Sequence, residues 1–209
     1  MKDLLRSYVN AFDCSNLSLA RHPQTTRRAC ALALARDLLI KNKILSAEST
    51  KQTTIQHYAS GMPYLKIPTE NNAQPRTRPL ALQISNSHSG AWIACLISEA
   101  EYPAGIDLED LSIKRSYLKL AEHYFSVSEI EYVKRHGPEA FYKLWTAKEA
   151  IAKLQGKGLA EALKIQLDPV SLDSLMVCTE SCHYRLERQI TQDYIYTIAR
   201  KYPATEQPK

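Results

Sequence analysis

Leu and Ala recur at helical spacing through TRRACALALARDLLIKNKIL (26–45), with Arg27, Arg28, Arg36 and Lys41 among them, and the spacing predicts an amphipathic helix. From 46 to 79 the texture turns to Ser, Thr, Asn and Pro, which predicts loops with one short strand at Tyr64–Ile67. Two β-leaning apolar runs follow, LALQIS (80–85) and AWIACLIS (91–98), and they bracket NSHSG as strand, tight turn and strand. AGIDLE (104–109) makes a third strand. The helical period returns from Ser116 to about Gln155, where Ser126 or Ser128 is placed to cap a helix. Gly137-Pro138 breaks that run, and Pro138 suits the first position of the next helix, PEAFYKLWTAKEAIAKLQ, which GKG ends. Beyond it, 163–199 alternates in shorter β-like runs, LKIQL, SLMVC, HYRLE and DYIYTIA, and the tail YPATEQPK reads as frayed. Little of an opening strand is legible before residue 20.

A chain of 209 residues, 44% apolar and 23% charged, is long enough for one large domain or two small ones with a substantial core. It contains no apolar run long enough for a membrane helix, and its first residues, MKDLLRSYVNAFD, carry acids and Asn where a secretory signal would not. Five cysteines, an odd number with no CxxC pair, suit reduced thiols in the cytoplasm. The net charge of +5 is uneven: residues 1–104 hold 12 Lys+Arg against 7 Asp+Glu, while 105–209 hold 15 of each. Such a split suits a protein whose halves grip different parts of an anionic ligand. It also suits nucleic acid, but that reading needs a Lys/Arg stripe with aromatics, and Arg76 and Arg78 in a Pro-rich loop are too sparse for one.

Three stretches carry candidate chemistry. In GIDLED (105–110), side chains two apart on a strand point the same way, so Asp107 and Glu109 project together while Ile106 and Leu108 pack behind. Two carboxylates that close repel, and each prefers water or a cation. For the D-x-E triplet alone, a strand end running out into solvent with Asp110 in the turn is the better explanation. On the helix after Pro138, Trp145, Glu149 and Lys153 recur at intervals of four and share a face, as would a solvated Glu–Lys pair. SNSHSG (85–90) offers hydroxyls, an imidazole and a glycine where phosphate oxygens could bind, although a His in a turn is usually just exposed. G-x-S-x-G is absent, which removes the hydrolase reading.

In this order, S-x-S-H-S-G, G-I-D-L-E and W-T-A-K-E-A-I-A-K-L-Q-G-K-G-L, the stretches resemble the 4′-phosphopantetheinyl transferases, specifically the surfactin-type, two-lobed, monomeric branch. The resemblance runs from about residue 26 to residue 160 and includes GMPYL (61–65), similar to a family G-K-P stretch, and HYFS (123–126) before Glu129. It implies an α+β fold of two lobes related by a pseudo-twofold, here a shortened lobe 1–100 on the coenzyme A 3′-phosphate side and a metal-binding, catalytic lobe 101–209. It implies transfer of the phosphopantetheine arm of coenzyme A to a serine of an apo acyl or peptidyl carrier protein, releasing 3′,5′-ADP, as in holo-carrier synthases. Mg²⁺, with Mn²⁺ as a substitute, is the implied cofactor; neither nucleic acid nor a membrane is an expected partner.

Residue by residue, the resemblance makes Asp107, Glu109 and Glu149 the metal ligands. Glu149 is also the expected base, and Lys153 contacts phosphate and assists the leaving group. Ser87, His88, Lys148 and Arg27, with Arg28 as its neighbour, are expected to bind coenzyme A. Met62 stands where many members carry Lys, and the basic residues that the family uses upstream of the helix arginine have no counterpart here beyond the candidates Arg21 and His22. Leu111, Tyr117, Leu118, Tyr124 and Phe125 are expected either to meet the carrier or to pack in the core. The rival within the resemblance is a non-catalytic relative that binds coenzyme A or a carrier without transfer.

Overall fold

The computed structural model describes residues 9–12, 24–42, 44–59, 61–67, 82–100, 102–179 and 182–202. The fold is mixed α/β, with two antiparallel sheets flanked by helices. The first sheet has the order β1-β5-β4-β3-β2, from β1 (Val9–Phe12), β2 (Thr54–His57), β3 (Pro63–Lys66), β4 (Leu82–Ser89) and β5 (Trp92–Glu99). The second has the order β6-β9-β8-β7, from β6 (Ala104–Asp110), β7 (Met176–Cys178), β8 (His183–Ile190) and β9 (Tyr194–Tyr202). The helices are α1 (Gln24–Lys41), α2 (Ala47–Lys51), α3 (Tyr117–Tyr124), α4 (Val127–His136), α5 (Pro138–Leu154) and α6 (Leu159–Ala162). None of them is long and apolar enough to cross a membrane.

Three apolar interfaces hold these layers together. Ala31, Ala35, Leu38 and Leu39 of α1 cover Ile84, Ile93, Cys95 and Ile97 of the first sheet. Ala94 and Leu96 of β5 meet Ile106, Leu108 and Ile198, joining the two sheets. On its other face the second sheet packs Tyr184, Leu186, Ile195 and Ala199 against Phe141, Leu144, Ala147 and Ile151 of α5. The strict alternation of β6 thus sends Ile106 and Leu108 into the inter-sheet core and turns the odd-numbered positions toward α5.

Local signals explain the helical stretch. Ser126 caps α4: its Oγ accepts from the Glu129 N–H at 3.5 Å, and the Glu129 carboxylate accepts from the Ser126 N–H at 2.8 Å. Gly137, at φ +80°, then turns the chain so that Pro138 opens α5.

Four expectations need correction. An opening strand does exist, since β1 pairs with β5 from Val9–Leu96 to Phe12–Ile93. The stretch taken for loops holds α2 and β2 as well as β3. NSHSG is not a turn: β4 runs through Ser89, and only Gly90 and Ala91 join it to β5. LKIQL is not a strand; it follows α6, and the Leu167 N–H donates to Glu129 Oε1 at 3.0 Å. The tail 203–209, Arg21, His22, Arg76 and Arg78 lie outside the described residues.

Gly105 sets how closely α5 can approach β6. A Cβ there would lie 2.1 Å from the Ala150 carbonyl oxygen and 2.6 Å from Leu154 N, both backbone atoms that cannot yield. Gly105→Val is therefore expected to cost at least about 3 kcal/mol or prevent folding, measured by urea denaturation.

Candidate active site

β6 is an edge strand of its sheet, and β4 runs beside that edge with a serine at every second position. The Ile106 N–H donates to Ser85 Oγ at 3.0 Å, satisfying a backbone group that the sheet leaves unpaired. Ser87 Oγ donates to Asp107 Oδ1 at 2.8 Å and Ser89 Oγ to Glu109 Oε2 at 2.6 Å. The period of two on both strands keeps hydroxyls and acids in step. Gly90, at φ +54°, closes the ladder, because a Cβ there would fall 1.9 Å from Asp110 Oδ2. That oxygen accepts from the Ala91 N–H, and Oδ1 accepts from the Ser112 N–H. Every residue of β6 is buried.

From the other side, α5 presents Glu149 and Lys153 one turn apart. Lys153 Nζ donates to Asp107 Oδ1 at 2.7 Å. Burial, then the charge of Asp107, pushes the Glu149 carboxyl up to about 7, with Lys153 opposing and Glu109 adding to the rise. Glu109 is raised as well, chiefly by burial, although the Ser89 hydrogen bond and the Arg115 guanidinium hold it back. Arg115, in the segment between β6 and α3, donates from Nη2 to Glu109 Oε2 at 2.9 Å. The three acids therefore feel one another, and two of them are held by basic side chains.

In kind, these donors fit a hard divalent cation. Three carboxylates supply oxygen ligands, and Asp107 Oδ2 is buried without a hydrogen-bond partner. Their arrangement is not yet that of a metal centre: among the described residues no three His, Cys, Asp or Glu side chains stand close enough to hold an ion together. Lys153 and Arg115 sit against Asp107 and Glu109 in this structure.

Beside Lys153 opens a cleft of about 390 Å³. Its walls are residues 61–63 of the β2–β3 hairpin, 84–86 of β4, and Lys153 with 156–158 at the end of α5. Gly156, at φ +69°, makes that end, and Met62 packs over it, with its Cε 2.8 Å from where a Cβ would be. Lys153 and Lys157 line the cleft from the α5 side, so it offers positive charge to an anion.

The other candidate residues divide. Ser87 is buried on Asp107, whereas His88 projects from the opposite face of β4 and is exposed. Arg27 falls within α1, but its side chain, like that of Arg28, lies outside the described residues. Lys148 does not join the site. It is 1% exposed, donates to Glu129 Oε2 at 2.7 Å, and stands 4.4 Å from the centre of the Phe125 ring. Burial pushes its ammonium below the usual range while Glu129 opposes that. Its expected substrate-binding role is corrected to a structural ion pair that ties α5 to α4. Lys148→Ala is expected to cost about 3 kcal/mol by leaving the buried Glu129 without a counter-charge, read from denaturation midpoints.

Of the residues expected to meet a carrier, Phe125 is core, Leu111 and Tyr117 pack partly against that core, and Leu118 and Tyr124 are exposed. Trp145 contacts the rings of Phe141, Phe125 and Tyr124. Sequence reasoning missed Arg115, and it had Ser85 and Ser89 only as hydroxyls for phosphate, not as partners of β6.

Fold and site together define a mixed α/β protein with a cationic cleft opening onto a buried cluster of acids. Residues 103–199 match the family model of the 4′-phosphopantetheinyl transferase superfamily. The chain is 36% identical over 111 residues to the 4′-phosphopantetheinyl transferase psf-1 of Bacillus pumilus, a match covering 51% of this chain and 46% of that protein. It is 32% identical over 151 residues to 4′-phosphopantetheinyl transferase gsp of Aneurinibacillus migulanus, covering 68% and 54%. It is 29% identical over 191 residues to 4′-phosphopantetheinyl transferase AcpT of Salmonella typhi, covering 83% and 88%. The recognition made from the motifs holds: the C-terminal half of the chain matches the 4′-phosphopantetheinyl transferase superfamily, and the relatives that the chain resembles along more of its length carry that same name. Its matches span between about a third and about half the length of the curated relatives that it resembles above 30% identity.

Proposed function

We propose that this protein transfers the 4′-phosphopantetheine arm of coenzyme A to a serine of an apo acyl or peptidyl carrier protein and releases 3′,5′-ADP, as a monomeric holo-carrier synthase of the cytoplasm. One observation carries the reading: Lys153 lines a cleft sized for part of a nucleotide-like ligand while its ammonium touches a buried acid of a three-carboxylate cluster. We take the five-stranded and four-stranded sheets as the cores of two lobes, 1–100 and 101–209, related by a pseudo-twofold.

Asp107, Glu109 and Glu149 would hold a magnesium ion, which when bound supplies positive charge against the pyrophosphate. Mn²⁺ has the same preference for oxygen and would substitute. Lys153 meets the phosphate oxygens on the cleft side and stabilises charge that moves to the departing ADP. Glu149, whose carboxyl burial and Asp107 raise to about 7 while no cation is bound, would be ionised beside the cation and accepts the proton of the carrier serine. Ser87 fixes the Asp107 carboxylate, so its contribution to coenzyme A binding runs through that acid. His88 and Arg27 grip the coenzyme A phosphates from the first lobe, and Leu118 and Tyr124 meet the carrier.

The reaction is tested by chromatography of a mixture of protein, coenzyme A, apo carrier and Mg²⁺. 3′,5′-ADP should appear in step with loss of coenzyme A, and only when carrier and cation are both present. Binding of coenzyme A with no ADP under any combination would leave only the non-catalytic binder.

A further inference from the structure

Glu109 and Asp107 are engaged alike, each through one oxygen that accepts from a serine and from a basic side chain. Glu109 Oε2 accepts both from Ser89 Oγ at 2.6 Å and from Arg115 Nη2 at 2.9 Å. Asp107 Oδ1 likewise takes Ser87 Oγ and Lys153 Nζ, while its Oδ2 is buried with no partner. Ser89 is a neutral donor rooted in β4 and takes no charge with it. Arg115 brings a full positive charge to the same oxygen from a side chain that is 36% exposed.

The segment that delivers Arg115 is pinned before it. The Leu111 N–H donates to the Asp193 carbonyl, Ser112 binds Asp110 Oδ1, and Tyr142 Oη donates to the Ile113 carbonyl at 3.4 Å. After it, α3 begins at Tyr117 with no side-chain cap at Ser116. The backbone is thus held close to Glu109, while the guanidinium can leave by rotation of its own side chain. Lys153, the less exposed of the two basic side chains at 28%, holds Asp107 and lines the cleft wall.

We propose that Arg115 is the resident counter-cation of Glu109: it holds that carboxylate while no divalent cation is bound and must release it when one binds, so it sets the metal affinity of the site. This rests on the reading of Asp107, Glu109 and Glu149 as metal-holding groups. A guanidinium and a metal ion compete for one oxygen, and whatever free energy the ion pair contributes is subtracted from metal binding. For a partly exposed pair that subtraction amounts to about a threefold to fivefold loss of affinity. The account makes Arg115 a positioning residue. Its loss should strengthen metal binding, whereas loss of a merely structural pair would weaken it or leave it unchanged.

The test is calorimetric titration of Mg²⁺ alone into the full chain, without coenzyme A, for the parent, Arg115→Gln, Arg115→Lys, Lys114→Gln and Asp107→Asn. Arg115→Gln should bind Mg²⁺ about threefold to fivefold more tightly than the parent. Arg115→Lys should stay near the parent, and Lys114→Gln, which removes an adjacent exposed charge, should change affinity by far less. In EDTA, Arg115→Gln should also melt below the parent, with the gap closing as Mg²⁺ is added. If Arg115→Gln binds Mg²⁺ no more tightly than the parent while Asp107→Asn loses binding, Arg115 is not the counter-cation and the metal reading stands. An equal gain in Arg115→Gln and Lys114→Gln would reduce the effect to general charge and overturn the proposal. A parent protein that binds no Mg²⁺ would overturn the metal reading and this proposal together.

Discussion

Asp107→Asn is expected to lower the rate of arm transfer at least about a thousandfold while leaving the protein as stable as the parent or more so. The change keeps the shape of the side chain. Its carbonyl oxygen still accepts from Ser87, which is 2.8 Å from Oδ1 in the parent. What disappears is a buried negative charge that raises both Glu149 and Glu109. Removing it lets Glu149 ionise more easily, which favours the folded state at neutral pH. Against that stands the ion pair with Lys153, whose side chain is partly open to water and whose loss costs little. A surface or merely structural acid would give the reverse pattern, with activity retained and stability lowered. The two readings therefore separate in one experiment, an initial rate and a melting curve on the same preparation.

The second large effect concerns Glu149. In the metal-free protein its carboxyl is raised from 4.5 to about 7. The folded state therefore binds a proton between those values that the unfolded chain has released, and stability must fall as pH rises through that window. The group has no effect below pH 4.5 and its full cost above 7. Allowing for its partial contact with solvent, that cost is on the order of 2 kcal/mol. Glu149→Gln in EDTA should thus match the parent near pH 4.5, exceed its stability at pH 8, and show a flatter profile between, all read from urea midpoints. The same substitution removes the proton acceptor, so transfer should drop at least about a hundredfold. Saturating Mg²⁺ should abolish much of the parent's pH slope, because a bound cation stabilises the ionised carboxylate.

How much of this was legible beforehand depends on where the information sits. The helices from α3 to α5 are written locally: Ser126 and Glu129 are three apart, Gly137 precedes Pro138, and the apolar period of α5 is unbroken. The pairing of Asp107 with Glu109 on one face is likewise a property of a single strand. β1 and β2 were missed because short strands are made by their partners, β5 and β3, rather than by their own residues. NSHSG was misread because Ser, Asn and Gly mark turns in isolation, yet the serines stand every second residue. That period was the visible signal that they face something polar.

Lys148 shows the other kind of failure. It is the immediate neighbour of Glu149, and that one step rotates it about 100° around the helix and into a buried partner on α4. No spacing in the motif announces that partner. Arg115 was invisible for the same reason, since its meaning comes from the place where a loop returns to Glu109.

The central claim is group transfer, and intact-protein mass spectrometry of an apo carrier protein tests it most directly. The carrier is incubated with this protein, coenzyme A and Mg²⁺, and in parallel with EDTA. The account predicts a mass gain of one phosphopantetheine arm on the carrier, absent with EDTA and absent when the catalyst is Asp107→Asn. No gain on several unrelated carriers, from a protein that still binds coenzyme A, would contradict it.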